Sequence, residues 1–260
     1  IVDFGAAIGL EGHAEGNAGL FGVLAGTVKN LTIENAHITG NENTVSAGAV
    51  AGGSIGTISG CKVVASSVSN NGSNTLTSSF KYVAGITGLN AHYAIGGGLS
   101  GNIENCMVDE NTVIQCENVS NSFSGGIVGY SGFTSADNNC SVMACINNAD
   151  ITVSGTGSNQ TTGGIAGYIE NSSIVGCNIG EISGTGALGG LVGHTNGVIY
   201  GSWTTEDTVF GTTSGTANGC YALDGSVSMS NLEIVNMNSA ICAYNNINTT
   251  KCPYIWKYQS

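Results

Sequence analysis

The stretch Gly125-Gly126-Ile127-Val128-Gly129-Tyr130 is the best guide to the fold, because it returns along the chain. It recurs as GGIAGY at 163–168 and as GGLVGH at 189–194. Its centre is a glycine, an apolar residue, any residue and a second glycine. We call this centre the glycine box, and further copies lie at 19–22, 85–88 and 98–101, with a weaker one at 49–52. Repeats with a period of about 20–50 residues are typical of solenoids, in which successive coils stack.

A second pattern follows most of the glycine boxes. It consists of an aliphatic residue, usually a cysteine three positions later, and often another aliphatic residue two positions further on. The seven rows are Val28-Leu31-Ile33, Ile58-Cys61-Val63, Ile103-Cys106-Val108, Val142-Cys145-Asn147, Ile174-Cys177-Ile179, Ile199-Ser202-Thr204 and Ala217-Cys220-Ala222. Boxes and rows are short, are separated by Gly/Asn/Ser turns, and show no helical period, which indicates β-strands.

A single repeat of this kind cannot bury its own apolar face, whereas stacked repeats share one core. We therefore predict an all-β fold, a single-stranded parallel β-helix of about seven coils that is roughly 33 Å long. Its cysteine position points inward in every coil. Cys61, Cys106, Cys145, Cys177 and Cys220 are then a structural ladder of buried free thiols, because neighbours about 4.8 Å apart are too distant for a disulfide.

The boxes GGIVGY, GGIAGY and GGLVGH, each followed by a turn and a row, resemble the GLUG repeats of bacterial surface proteins. Those repeats occur in Bacteroides-type adhesins and beside the catalytic domains of large immunoglobulin A peptidases. The resemblance covers about residues 18–229 and implies a right-handed, pectin-lyase-like β-helix on an exported protein. It supplies no catalytic residues. The long gaps in coils three and four, and the missing box before Ala217, depart from the repeat.

Two segments flank the repeats. Residues 1–17 are expected to form an incomplete first coil, so that the β-helix domain spans 1–229. Residues 230–260 change character, because apolar residues fall at a helical spacing after Ser230 or Asn231, either of which suits an N-cap. We expect a short helical C-terminal cap over the open end of the solenoid. Cys116, Cys140, Cys242 and Cys252 lie outside the ladder, and Cys242–Cys252 is the pair most suited to a disulfide.

The composition excludes several classes of protein. The chain has 260 residues, of which 42 are glycine and one is proline, and its formal net charge is −12. This charge repels phosphate backbones, so no nucleic acid is expected as a partner. No apolar run is long enough for membrane insertion. We expect an exported or cell-surface monomer, whose signal sequence is not in this chain, with no metal and no cofactor.

Catalysis has little support in the sequence. HExxH and GxSxG motifs are missing, and the four histidines are scattered. The alternative is a β-helix carbohydrate-active enzyme, a polysaccharide lyase or hydrolase, which needs carboxylates that meet on one face. The candidates are Asp109-Glu110, Asp137, Asp150 and Glu206-Asp207. We expect no enzyme, because adjacent residues on a strand point to opposite faces and there is no arginine to hold an acidic sugar.

Two long gaps between box and row suggest a binding surface. They fall in consecutive coils, at 89–102 and 130–141, and insertions of this kind map to one face of a solenoid. The expected ligand-binding residues are Asn90, His92, Tyr93, Tyr130, Phe133 and Asp137, since aromatic and amide side chains suit carbohydrates. The competing expectation is that these aromatic rings fold inward and cover an apolar edge. The predicted function is non-catalytic adhesion to, or binding of, a host or bacterial surface glycan or protein, and a purely structural spacer is the other alternative.

Overall fold

The strands of this chain stack into seven coils. The computed structural model describes residues 16–71, 80–90, 101–132, 140–225, 228–247 and 252–257. Coil 1 contains β1 (Gly16–Ala18), β2 (Phe21–Leu24), β3 (Thr27–Lys29), β4 (Thr32–Glu34) and β5 (His37–Gly40). Coil 2 contains β6 (Thr44–Gly48), β7 (Ala51–Ser54), β8 (Thr57–Ser59), β9 (Lys62–Val64) and β10 (Ser67–Asn70). Coil 3 contains β11 (Lys81–Ala84), β12 (Thr87–Asn90), β13 (Asn102–Glu104), β14 (Met107–Val108) and β15 (Val113–Val119).

The later coils have fewer strands. Coil 4 contains β16 (Ser122–Gly125), β17 (Val128–Gly132), β18 (Ser141–Asn147) and β19 (Asp150–Gly155). Coil 5 contains β20 (Gln160–Gly163), β21 (Ala166–Glu170), β22 (Ser173–Asn178) and β23 (Ile182–Gly184). Coil 6 contains β24 (Ala187–Gly189), β25 (Val192–Thr195), β26 (Val198–Tyr200) and β27 (Trp203–Thr204). Coil 7 contains β28 (Phe210–Thr213), β29 (Thr216–Asn218) and β30 (Tyr221–Ala222), and the helix α1 (Asn231–Ile247) follows.

Equivalent strands of successive coils form four sheets. Sheet 1 has the order β1-β6-β11-β16-β20-β24, and sheet 2 has the order β2-β7-β12-β17-β21-β25-β28. Sheet 3 follows β3-β8-β13-β18-β22-β26-β29 with β4, β9, β14, β27 and β30 beside them, and sheet 4 follows β5-β10-β15-β19-β23. Every strand pair in the described residues is parallel. The all-β parallel β-helix that the repeat predicts is therefore confirmed.

The glycine box forms the corner between sheets 1 and 2. Its apolar residue is fully buried in successive coils, as at Ile127 and Ile165. Its last glycine faces the backbone of sheet 1. A Cβ added to Gly129 would lie 2.6 Å from the Gly88 carbonyl oxygen and 2.8 Å from the Phe123 carbonyl oxygen. The two sheets approach so closely at this corner that only glycine fits.

A left-handed residue bends the chain within the rows that cross sheet 3. In six of the seven rows it stands just before the ladder position, as Asn30, Gly60, Asn105, Ala144, Gly201 and Gly219, with φ between 48° and 63°. Asn and Gly adopt this conformation most readily. The fifth row lacks it, because Gly176 continues strand β22 and pairs with Cys145. This difference moves the fifth row by one residue relative to the fourth.

One lysine is buried inside the solenoid, although the sequence pattern does not predict its burial. Lys81, at the start of β11, is 0% exposed. Its Nζ donates hydrogen bonds to the carbonyl oxygens of Asn41 at 2.6 Å and Thr44 at 2.7 Å. Burial lowers the pKa of Lys81 to about 8. The ammonium group thus supports the turn before β6, and carbonyl dipoles take the place of water.

The C-terminal helix begins with a capping box. The Ser230 Oγ accepts a hydrogen bond from the Glu233 backbone N–H at 3.3 Å, and the Glu233 carboxylate accepts one from the Ser230 backbone N–H at 2.6 Å. The hydrogen bonds from Ser230 also lower the pKa of Glu233. Ser230 is therefore the N-cap of α1.

The position of α1 corrects the expectation of a cap over the open end. Ile241 and Tyr244 are buried against the outer side of sheet 3, in a cluster that includes Val175 and Tyr200. The helix thus packs on the flank of the solenoid. In the described part of the chain, β28 and β29 are the last strands of their sheets, and no segment pairs with their outer edges. The physical reason is that sheet 3 carries apolar residues on its outer face in coils 4–6.

Candidate ligand-binding edge

Both long gaps start from neighbouring strands and return to neighbouring strands. The Asn90 side chain, at the end of β12, donates a hydrogen bond to the Ser131 Oγ at 3.0 Å. On the returning side, the Ser141 Oγ donates a hydrogen bond to the Asn102 side chain at 2.9 Å. The insertions 91–101 and 133–140 are thus held side by side at both ends. Elsewhere sheets 2 and 3 are joined by only two residues, at 25–26, 55–56, 171–172, 196–197 and 214–215.

A third insertion reaches the same edge of the solenoid. Residues 71–80 connect β10 to β11, whereas the equivalent connection in coil 4 is residues 120–121. It ends at Phe80, whose ring stacks on Phe123 at a centroid distance of 4.7 Å. Phe80 also packs against the cluster that contains Leu89, next to the start of insertion 91–101. We call residues 71–80, 91–101 and 133–140, with the aromatic residues between them, the insertion edge.

Only two of the six residues expected to bind a ligand lie in the described part of the chain, and neither is exposed. Asn90 is 0% exposed, and its side chain also donates a hydrogen bond to the Gly101 carbonyl oxygen at 3.0 Å. Tyr130 is 6% exposed. Both side chains thus hold the base of the insertions together, and their assignment to a ligand stays a prediction. His92, Tyr93, Phe133 and Asp137 lie outside the described residues.

A column of stacked rings runs along the insertion edge. Tyr130, Tyr168 and His194 occupy the same position in coils 4, 5 and 6. The ring centroids of Tyr130 and Tyr168 are 5.3 Å apart with planes at 6°, and those of Tyr168 and His194 are 4.8 Å apart at 16°. Phe123 from sheet 1 stacks on Tyr168 at 5.1 Å. Because ring faces cover one another, Phe123 and Tyr168 present mainly edges and no open face for a sugar.

Hydrogen bonds fix the two ends of this column. The Tyr130 hydroxyl donates to the Glu170 carboxylate, and the His194 Nδ1 lies 2.7 Å from the Thr212 hydroxyl in the next coil. Burial, and then the neighbouring Glu170 carboxylate, raise the pKa of Tyr130. The Tyr130 hydroxyl therefore stays neutral and remains a donor. The arrangement of Tyr130 agrees with the competing expectation, in which the ring folds inward and covers an apolar edge.

The sequence does contain a signal for this column. Tyr130, Tyr168 and His194 each follow the last glycine of a glycine box directly. The repeat of the box places them above one another in successive coils. Tyr82 and Phe123 likewise precede their boxes by three residues and pair in neighbouring strands of sheet 1. Both sets of positions are therefore visible in the repeat itself, outside the insertions.

Three of the carboxylates considered for catalysis, Asp109, Asp150 and Glu206, accept hydrogen bonds that support the fold. Asp109 accepts hydrogen bonds from the Thr112 hydroxyl at 2.6 Å and the Ala65 backbone N–H at 3.0 Å. Burial opposes ionisation of Asp109, but these hydrogen bonds outweigh it and lower the pKa. Asp150 and Glu206 accept backbone N–H bonds from the next or the preceding coil, each at 3.0 Å. Within the described ranges, no group of three His, Cys, Asp or Glu side chains is arranged to hold a metal ion.

The thiol ladder is present but shorter than expected. Cys61, Cys106 and Cys145 are buried and free, and Cys106 and Cys145 fall in register between β14 and β18. Cys220 is partly buried and lies in register with Ser202. Cys177 is a correction, because it pairs with Ile146 and Trp203 rather than with Cys145. The missing left-handed residue at Gly176 turns Cys177 to the outer face of sheet 3.

The remaining cysteines are also free. Cys242 is exposed on α1, whereas Cys252 is buried beside Tyr244. The expected bridge between them does not form, because Cys242 lies on the solvent side of the helix.

Comparison with known proteins adds no relative. No protein family, no curated protein and no solved structure was found to match this chain. Among the described residues, no helix has the length and apolar character to cross a membrane. Function must therefore be argued from the fold and from the insertion edge.

Proposed function

We propose that this chain is a non-catalytic, exported surface protein that binds a glycan through the insertion edge. The observation that carries the proposal is that the described ends of three long insertions lie at one edge. The bases of 91–101 and 133–140 are tied together by Asn90–Ser131 and Ser141–Asn102, and Phe80 brings 71–80 to the same place. Loops grouped on a rigid scaffold are the usual sites of binding.

The aromatic column lies beneath the insertion edge and holds its strands in place. Its interlocked rings fix the strands from which the insertions leave, so the insertions can be rigid at their bases. The rings of Tyr93 and Phe133, which belong to the insertions, then serve as the stacking surfaces for sugar rings. Asn and Ser side chains in the same segments supply hydrogen bonds.

The charge of the insertion edge defines the class of glycan. The three insertions contain no lysine and no arginine, and their acidic residue is Asp137. Glu170 adds a carboxylate beside the aromatic column. Lys81, the nearest base along the chain, is buried. With a net charge of −12, the protein repels anions. The proposed ligand is therefore an uncharged glycan, and sulfated or sialylated chains are disfavoured.

An exchange of the insertions tests the proposal. Residues 91–101 and 133–140 are replaced by the two-residue connection Asn196-Gly197, which joins the same sheets in coil 6. The stacked coils do not depend on the insertions, so the far-UV circular dichroism should be retained. On an array of neutral and anionic glycans, we expect the intact chain to bind neutral glycans and the exchanged chain to lose at least tenfold in affinity.

The matched control exchanges residues 214–215 of coil 7 for the same Asn-Gly pair, which alters a short connection three coils away from insertion 133–140. It should bind as the intact chain does. Equal binding by the exchanged and intact chains would contradict the assignment to this edge. Failure of the intact chain to bind any glycan would contradict the function itself.

One observation favours a structural spacer as the second candidate. In coils 5 and 6, sheets 2 and 3 are joined by two residues, and a spacer would keep such connections throughout. This part of the solenoid can hold the insertion edge away from a neighbouring domain.

A further inference from the structure

The C-terminal residues cross the flank of the solenoid as a strap. We define the strap as residues 252–257. Asn245 of α1 forms paired hydrogen bonds with the backbone of Cys252, at 2.8 and 2.7 Å, and Asn238 does the same with Trp256, at 2.9 and 2.8 Å. Two asparagines seven residues apart on one helix thus fix both ends of the strap. The chain between these two points is not pinned by them.

The Trp256 end of the strap is anchored a second time. The Trp256 indole N–H donates to the Gly201 carbonyl oxygen, and its ring meets Trp203 edge-on at a centroid distance of 6.3 Å. By contrast, Tyr254 is 42% exposed and Ile255 is 56% exposed. A large aliphatic residue left half in water between two fixed points indicates that the surface beneath it is not filled.

A cavity of about 180 Å³ lies beneath the middle of the strap. Its floor is the outer face of sheet 3, where Ala144, Ile146 and Val175 contribute side chains, and Ile241 of α1 forms one wall. Tyr254, Ile255 and Trp256 line its outer side, which is partly open to solvent, and Asn105 is the one other lining residue. None of these side chains carries a charge.

The sequence explains why the floor is recessed. Ala144 has a φ of 54°, a conformation that disfavours larger side chains, and it opposes the place where β22 runs straight through Gly176. The shift of one residue between these two rows removes a side chain from the floor. Cavities of about 150 Å³ with aliphatic walls stay dry and bind benzene or xenon in other proteins.

We propose that the strap cavity binds a compact, uncharged aromatic molecule of about the size of a benzene ring. The volume sets the size, the absence of charged lining residues sets the polarity, and the rings of Tyr254 and Trp256 favour an aromatic partner. The proposal does not rest on the insertion edge, because none of the residues that line the cavity belongs to that edge.

Tryptophan fluorescence provides a local readout for this site. The chain contains two tryptophans, Trp203 and Trp256, and they contact one another at the end of the strap. Titration of the full chain with benzene should change their emission and reach saturation, with half-saturation on the order of 1 mM. The melting temperature should rise over the same concentrations, because a ligand that binds only the folded state stabilises it. Cyclohexane, a saturated ring, should bind at least fivefold more weakly.

A filled cavity separates binding from a general solvent effect. Ile146→Phe places a ring in the cavity and should abolish the saturable change in emission. Val113→Phe adds the same ring at an exposed position in sheet 4, away from the strap, and should leave the titration unaltered. A linear response of the intact chain to benzene would overturn the proposal even if Ile146→Phe fails to fold. Equal responses of intact chain and a folded Ile146→Phe would overturn it as well.

Discussion

Raising the pH from 7 to 10 in reducing buffer is expected to destabilise this protein strongly, because its buried thiols cannot ionise while it is folded. Six cysteines at most 2% exposed have a raised pKa, namely Cys61, Cys106, Cys116, Cys140, Cys177 and Cys252. At Cys61 and Cys106 the largest cause of the raised pKa is the hydrogen bond to the next thiol along the ladder, and burial raises the pKa further. Burial raises the pKa of Cys116 and of Cys177 to about 12 each.

The direction of the effect follows from proton binding. In the unfolded chain these thiols ionise near their ordinary pKa of 9.0, whereas the folded chain keeps the protons. Above pH 9 the unfolded state therefore binds fewer protons, and the free energy of unfolding falls as the pH rises. Each thiol whose pKa in the folded chain lies well above 10 contributes about 1.4 kcal/mol by pH 10, so Cys61, Cys106, Cys116 and Cys177 together contribute about 6 kcal/mol, and Cys140 and Cys252 act in the same direction. The pKa of Lys81, lowered to about 8, acts in the opposite direction, because above this pH the unfolded chain holds a proton that the folded chain has lost. Between pH 7 and 10 this restores about 3 kcal/mol of the free energy of unfolding.

Urea unfolding followed by circular dichroism at pH 7, 9 and 10 measures this loss. The net change of at least about 3 kcal/mol is a large fraction of the whole stability of many domains. Cys177→Ala should reduce this change by about 1.4 kcal/mol. Cys242→Ala should leave it unchanged, since Cys242 is exposed in the folded chain. Stability that is constant from pH 7 to 10 would show that the thiols are accessible to water.

Gly129→Ala is expected to destabilise the chain by about 3 kcal/mol or more, the upper part of the range for overpacked sites. The added Cβ would lie 2.6 Å from the Gly88 oxygen, 2.8 Å from the Phe123 oxygen and 3.0 Å from the Val83 nitrogen. All three are backbone atoms of paired strands, so no side chain can rotate away. Sheets 1 and 2 must separate, and the aromatic column beside Gly129 must shift with them.

Gly26→Ala is the matched control for this substitution. Gly26 lies in the connection between β2 and β3, and a Cβ added to it meets nothing within 4 Å. Its urea midpoint should change little, within about 0.5 kcal/mol of the intact chain. Similar midpoints for the two variants would mean that the corner between sheets 1 and 2 is looser than its contacts indicate.

The repeat predicted the stacked coils because its apolar positions and its glycines obey a local rule. Ile58, Ile103 and Ile174 all point inward, and the box glycines stand where sheets approach closely. The orientation of Cys177 could not be predicted. Gly176 looks like Gly60 and Gly201 in sequence, yet it is the one glycine of this position that stays extended, and glycine permits both conformations.

The candidate site was predicted in outline only. The spacing of boxes and rows placed two insertions in consecutive coils, which the register of Asn90 with Ser131 supports. Burial of Tyr130 depends on rings from sheet 1, such as Phe123, whose approach follows from the folded corner and not from local sequence. The docking of α1 had a visible signal, since the outward position after the row's first residue is polar at Lys29, Ser59 and Glu104 but apolar in coils 4–6.

The parallel pairing of every coil with the next has a mechanical consequence. Hydrogen bonds between coils point along the axis of the solenoid, so a pull along that axis loads the junctions between coils in series. Each junction then carries the full force, and the stack yields at its weakest junction. A pull across the axis instead loads the bonds of several coils in shear. These bonds are loaded at the same time and share the force. A protein of this shape is therefore compliant along its length and stiff across it, and the insertion edge, whose loops are tied across coils 3 and 4, is a local reinforcement against peeling.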